Sequence, residues 1–264
     1  MTLTLSYDDT LSRVQIEVTD IDGSVTEVMV ERSANQVTWS TVRGAAAVPV
    51  VSGEAVAWDY EFYPDVPTYY RVTAGEDVES DHITVMLDQV WLKSIQRPFL
   101  NRPFVPYGAP PEPERIARTG IHDVVGRMHP VAVTDVLLAP RWTLDLITRT
   151  PEDWRTLDLI LASGDTLLIQ APTSGRLASV PTGYAVATGV RRRHLPTASL
   201  DEVVTSVSLQ EVAAPDAEVV GATVTCAMVL ATYPTCDDVL AAHPTCVSLL
   251  TLIGDPTDVI VDNV

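Results

Sequence analysis

All three cysteines of the chain, Cys226, Cys236 and Cys246, stand ten residues apart. Regularly spaced thiols invite a metal, but zinc sites use short pairs and four ligands, and only His243 is near enough in sequence to join them. A ten-residue period suits apolar packing better, with cysteine acting as a small hydrophobe. An odd cysteine count in a chain with no visible export signal also predicts reduced thiols. Arg191, Arg192 and Arg193 form the one dense basic run. They could line a channel or touch nucleic acid, or they could be an exposed strand end that pairs with acidic neighbours; the second reading is favoured. His122 beside Asp123 could exchange protons, yet sequence neighbours on a strand point to opposite faces. The chain holds no Gly-x-Ser-x-Gly elbow, no phosphate-cradling glycine loop and no His-Glu-x-x-His. The expectation is therefore no catalytic residue, no metal and no cofactor.

Of 17 cations only Lys93 is a lysine, and against 35 acids they leave a net charge of -18. Such a balance argues against a general nucleic-acid binder, and no sequence-specific nucleic-acid partner is expected. The 264 residues are 46% hydrophobic, with mean hydropathy +0.16, which is enough to fill a core and excludes disorder throughout. Charge is segmented: residues 1–90 carry 4 cations and 16 anions, residues 91–149 carry 8 and 5, and residues 150–264 carry 5 and 14. No apolar run is long enough to span a bilayer, so no membrane partner is expected, and the chain is expected to fold in the cytosol.

The elements that must position these residues read as mainly β. Over residues 1–88, Val14, Ile16 and Val18 alternate with polar residues, Asp22-Gly23 predicts a tight hairpin turn, and Val25, Val28 and Val30 lead out as the next strand. Further strands are expected near 38–42, 56–60 and 69–73, making a small sandwich. Residues 89–115 break this pattern. Six prolines fall between Pro98 and Pro113, and the segment is also greasy, with Arg97-Pro98-Phe99 repeated as Arg102-Pro103-Phe104. This predicts an extended connecting arm that buries Trp91, Arg97, Phe99, Arg102 and Phe104 either on its own domains or on a neighbouring subunit. Residues 116–215 read as a second β domain with one helix. Thr150-Pro151-Glu152-Asp153 signals the helix start, Trp154, Leu157, Ile160 and Leu161 share a face, and Gly164 stops it.

Two resemblances follow. Val30–Ser33, Val37–Gly44, Trp58–Glu61 and Thr68–Ala74 together resemble a fibronectin-type-III-like module, an adhesive or spacing unit in which a Tyr-x-Val stretch forms a late strand. Residues 90–104, 142–172 and 205–215 are similar to minor tail proteins of long-tailed phages that infect actinobacteria. There a fibronectin-like module, a proline-rich arm and a β domain with one helix occur in this order, and the β domain is itself similar to the ring-forming domains of tail-tube and distal-tail proteins.

The segment 216–264 repeats with a period of ten: GATVTCAMVL, ATYPTCDDVL and AAHPTCVSLL, then a degenerate TLIGDPTDVI. Each unit predicts a short helix stopped by the next proline, with Thr235 and Asp238 as a cap pair and the three cysteines packing in phase. Similar decapeptide arrays recur at the ends of the same phage proteins. The resemblance implies a structural virion component near the tail tip or baseplate. It would be assembled in the host cytoplasm as a homo-oligomeric ring, hexameric or trimeric, against other phage tail proteins. In that picture Trp91, Arg97, Phe99, Arg102 and Phe104 lie at the subunit interface, and Arg191, Arg192 and Arg193 at the lumen or interface. The alternative is a carbohydrate- or host-surface-binding module with Trp39, Trp58 and Tyr60 as an aromatic platform.

Overall fold

Period-two burial organises the N-terminal half of the computed structural model, which describes residues 1–126, 128–133, 136–195, 202–215 and 236–242. Strand β1 (Thr2–Asp8) pairs with β2 (Arg13–Thr19), where Val14, Ile16 and Val18 turn inward. The chain then crosses to a second sheet through β3 (Glu27–Ser33), β4 (Ser40–Thr41) and β5 (Val48–Pro49), and returns as β6 (Ala55–Asp59) beside β2. Strands β7 (Pro67–Ala74) and β8 (Asp77–Thr84) complete the second sheet. The orders are β1-β2-β6 and β4-β3-β7-β8, with β5 also on β3. The expected turn at Asp22 is present, since Val25 N–H donates to Asp22 O at 3.0 Å. It does not close a hairpin, however, because β2 and β3 belong to different sheets; the residues after the turn carry the chain across the core.

The second module is a closed six-stranded antiparallel barrel. Its strands are β9 (Val90–Ser94), β10 (Arg102–Pro106), β13 (Arg141–Thr148), β14 (Leu167–Gln170), β15 (Gly183–His194) and β16 (Val203–Glu211), in the order β10-β13-β16-β15-β14-β9. Between β10 and β13 lies a separate two-stranded ribbon, β11 (Gly120–His122) and β12 (Val131–Val133). Helix α1 (Pro151–Ala162) starts as its sequence predicts. Thr150 Oγ1 accepts from Asp153 N–H, and Asp153 accepts from Thr150 N–H in return. Leu157 and Ile160 enter the barrel core with Leu144, Leu146 and Ile169. Gly164, at φ +69°, ends the helix in a conformation side chains rarely adopt.

The barrel begins at Val90, which corrects the expectation of a connecting arm over 89–115 and of a second domain starting at 116. Strand β9 is buried on both faces, so it carries no alternation, and its flanking prolines suggest a linker. Pro98 opens a 3-10 turn (Pro98–Leu100), while Pro103 and Pro106 sit in β10, whose ladders to β9 and β13 are correspondingly short. Further strands without an expectation from the sequence are β1, the short β5, the polar β8 and β11. Of the decapeptide repeats, Cys236–Ala242 forms a short helix, α2, with Val239 half-buried and Leu240 exposed. Thr235, Cys226 and Cys246 lie outside the described residues. Among the described residues no helix is long and apolar enough to cross a membrane.

Candidate functional site

Strand β9 presents two faces to two cores. Val90 and Leu92 point into the barrel, whereas Trp91 joins the core of the sandwich module. Lys93 follows Trp91 on that outward face and is 1% exposed. Its Nζ donates to the backbone carbonyls of Ser12 at 2.5 Å and Tyr60 at 2.8 Å, and lies 4.5 Å from the Phe62 ring centre. Burial pushes the Lys93 amine well below its ordinary pKa, against the pull of Asp59 and Glu61. The unique lysine is thus a bolt between modules.

Other bonds cross the same junction. Gln170 Nε2 donates to Phe62 O at 2.6 Å, and Thr173 N–H and Oγ1 donate to Asp65 Oδ2 at 2.6 and 3.1 Å. Arg43 donates to Pro215 O at 3.1 Å. Tyr184 on β15 donates to Glu61 Oε2 at 3.0 Å, and burial together with Glu61 pushes its phenol up to about 12. Glu61 also accepts from Arg32 at 2.7 Å and Arg43 at 2.6 Å, while Arg32 reaches Asp59 at 2.5 Å. Burial alone would raise the Glu61 carboxyl, but the two guanidinium groups outweigh it and hold it below the usual carboxylate range. Asp65 is held low in the same way, its slight burial outweighed by the Thr173 and Leu87 amides.

A cleft of about 490 Å³ opens beside this junction. Trp58, Tyr60, Arg13, Arg43 and Phe99 line it. The Arg13 guanidinium covers the Trp58 ring at 3.7 Å and donates to the Tyr60 hydroxyl at 3.1 Å. Trp39 lies elsewhere, under Arg71 at 4.4 Å, so the three aromatic residues read as a platform are divided between two places. Among the described residues no three His, Cys, Asp or Glu come together as a metal set.

The interface candidates separate. Of the two alternatives for the interface candidates, burial on their own domains or on a neighbouring subunit, Trp91 and Phe104 take the first: β9 and β10 are core strands, and each side chain fills one of the two cores. Arg97 lies 3.8 Å from Asp165. Arg102 is exposed and caps the backbone carbonyls of Asn101 and Phe99, and Phe99 remains 37% exposed at the cleft. Arg191, Arg192 and Arg193 lie on the exposed end of β15. Arg192 pairs with Asp158 beside Trp154, and Arg193 lies 3.8 Å from Asp145 and near Tyr107.

Among the described residues, a concentration of exposed apolar side chains lies in a part of the chain that was not singled out from the sequence. A ribbon leaves the barrel after β10, held by Glu114–Arg141 and Ala117–Leu137 bridges and then by β11 and β12. Its strands pair only with each other. Val125 is 102% exposed and Met128 91%, and Ile121, Val133 and Val136 are also exposed. The signal available in the sequence was modest: Ile121, Val124 and Val125, then Val131, Val133 and Val136, with no α-helical stripe. His122 and Asp123, weighed as an acid–base pair, are exposed on this ribbon. The sequence matches no protein-family model and no curated protein.

Proposed function

We propose that the chain is a structural subunit of a phage tail, near the tip or baseplate, that assembles with its own copies into a ring and joins the tail tube to tip proteins. The observation that carries the reading is the ribbon, whose apolar side chains have no cover among the described residues; patches of this kind on a folded subunit mark contact surfaces. Strand order adds support. The sheets β1-β2-β6 and β4-β3-β7-β8 are compatible with a fibronectin-type-III-like spacer, and the closed barrel with one helix is compatible with a distal-tail or tail-tube domain. The polar junction lets the spacer and the barrel act as one rigid piece, which suits a connector. The ring order, sixfold or threefold, and the place in the virion come from the resemblance. The test is light scattering on the purified protein together with cryo-electron microscopy of tails. Wild type is expected as a closed oligomer, and Val125→Asp with Met128→Asp as a folded monomer. Wild type that stays monomeric at every concentration, or a double variant that assembles unchanged, overturns the reading.

A second reading is favoured by the cleft, where Trp58, Tyr60 and Phe99 converge with two arginines. In that reading the module binds a host-surface carbohydrate by stacking and hydrogen bonding. A glycan array with wild type and Trp58→Ala separates the two: binding that disappears in the variant supports it, and an empty array removes it.

A further inference from the structure

The junction between the modules also holds a hollow of about 390 Å³. Arg32 on β3 lines it from the sandwich, and Gln170 on β14 and Tyr184 on β15 line it from the barrel. Phe62, Tyr63, Pro64, Leu168 and Pro215 supply carbon-rich walls. Arg32 and Gln170 are 8% and 2% exposed. Among the described residues each keeps one polar atom without a partner: Arg32 Nε, a donor, and Gln170 Oε1, an acceptor. Turning either side chain to find one would break bonds already made. Nη1 and Nη2 of Arg32 are held by Asp59 and Glu61, and Gln170 Nε2 donates to Phe62 O at 2.6 Å. A buried donor and a buried acceptor left unpaired both cost stability, and a molecule that accepts from one and donates to the other removes that cost.

The walls narrow the chemistry of that molecule. Arg32 and Arg43 are matched by the carboxylates of Asp59 and Glu61, so no net charge is left to recruit an ion. The orphan pair calls for groups that both donate and accept, as a hydroxyl does and a carboxylate or an ammonium does not. The hydroxyls of Ser40, Thr41 and Thr182 extend the same pattern around the hollow. Its carbon-rich walls call for an apolar face on the same molecule, and its volume, at the small end of ligand sites, suits a single ring better than a chain. We propose that the hollow is a binding site for one neutral sugar ring, whose hydroxyl edge meets Arg32 and Gln170 and whose C–H face lies on the carbon-rich wall. The site goes beyond the cleft reading. It adjoins the cleft through Arg43, Glu61 and Leu168, but Trp58, Tyr60 and Phe99 do not line it, so each site can fail without the other.

Saturation-transfer nuclear magnetic resonance and calorimetry on the full-length chain test it. The neutral probes are the methyl glycosides of glucose, galactose and mannose; the charged probes are glucuronic acid and glucosamine. At least one neutral glycoside is expected to bind, and the charged probes about tenfold more weakly or not at all. Gln170→Leu removes the acceptor and is expected to weaken binding about tenfold. Because it also gives up the bond to Phe62, Ala214→Trp serves as a second variant. Ala214 is an exposed residue on the rim, and an indole there fills the hollow from outside the buried bonds. It is expected to abolish binding with an unchanged circular dichroism spectrum. No binding by any neutral probe, charged probes that bind as tightly as neutral ones, or binding that survives both variants overturns the proposal. Binding that both variants leave intact and Trp58→Ala removes belongs to the cleft: it overturns this proposal and leaves the cleft reading standing.

Discussion

Replacing Glu61 with alanine removes the carboxylate on which both modules converge. Glu61 is 7% exposed and accepts three bonds, from Arg32 at 2.7 Å, Arg43 at 2.6 Å and Tyr184 at 3.0 Å. The first two keep two guanidinium charges compensated within the sandwich module, and the third reaches across to β15. Asp59 continues to hold Arg32, so the loss is partial on that side. Breaking a buried, hydrogen-bonded charge set by deleting one partner costs about 3–5 kcal/mol. The Tyr184 bond, a hydrogen bond to a charged group, supplies about 1.5–3 kcal/mol of such a loss, and Tyr184→Phe isolates it. Equilibrium urea unfolding followed by fluorescence and far-ultraviolet dichroism reads both. The pH dependence has a fixed sign. Glu61 titrates lower in the fold than in the unfolded chain, so on acidification the unfolded chain takes up the proton first. Its contribution is full above about pH 4.3 and is lost as pH falls through the folded value. The gap between wild type and Glu61→Gln should therefore be wide at pH 7 and narrow below about pH 4. A Glu61→Ala loss under about 1 kcal/mol at pH 7, or a gap that widens in acid, refutes the reasoning.

Leu157→Ala opens a hole where α1 meets the barrel core and should cost about 2–5 kcal/mol in the same urea assay. Thr150→Ala removes half of the reciprocal cap and should cost about 1 kcal/mol, visible as a lower melting temperature with an unchanged fold. Asp65→Asn should cost less than about 1 kcal/mol at neutral pH, because solvent screens this half-buried junction bond. Its deficit relative to wild type should close in acid as Asp65 itself titrates through its lowered value, which a stability series between pH 6 and 2 would show.

The parts that were legible in the sequence are those fixed by local rules. Helix α1 runs from a Thr-Pro-Glu-Asp start to a glycine stop, and each signal acts within a turn of its own residue. Strands β2 and β13 bury every second residue, and the alternation is visible without knowing the partner. Strand β9 was opaque for the opposite reason: Val90-Trp91-Leu92-Lys93-Ser94 is buried on both faces, by different modules, so nothing alternates. Strand β8 was missed because its polar residues look like loop, and only pairing with β7 makes them a strand. Trp91 and Phe104 were recognised as residues that must be buried; which surface buries them depended on strands distant in sequence, such as β14, whose Gln170 pairs with Trp91, and β13, which pairs with β10.

The sequence by itself determined a mainly β chain with one capped helix, a strongly acidic N-terminal module and a cationic middle. These follow from residue type and short-range periodicity. Only the tertiary structure decided that residues 90–106 are barrel strands instead of a connector, and that the lone lysine is a buried bolt between modules. It also decided that, among the described residues, apolar side chains of the ribbon after β10 are left exposed while Phe104 of the Arg-Pro-Phe repeat is buried. Burial is a property of pairs of distant segments. A sequence shows which side chains need cover, but the cover itself is set by how the strands close into a barrel and which face that barrel turns toward the sandwich.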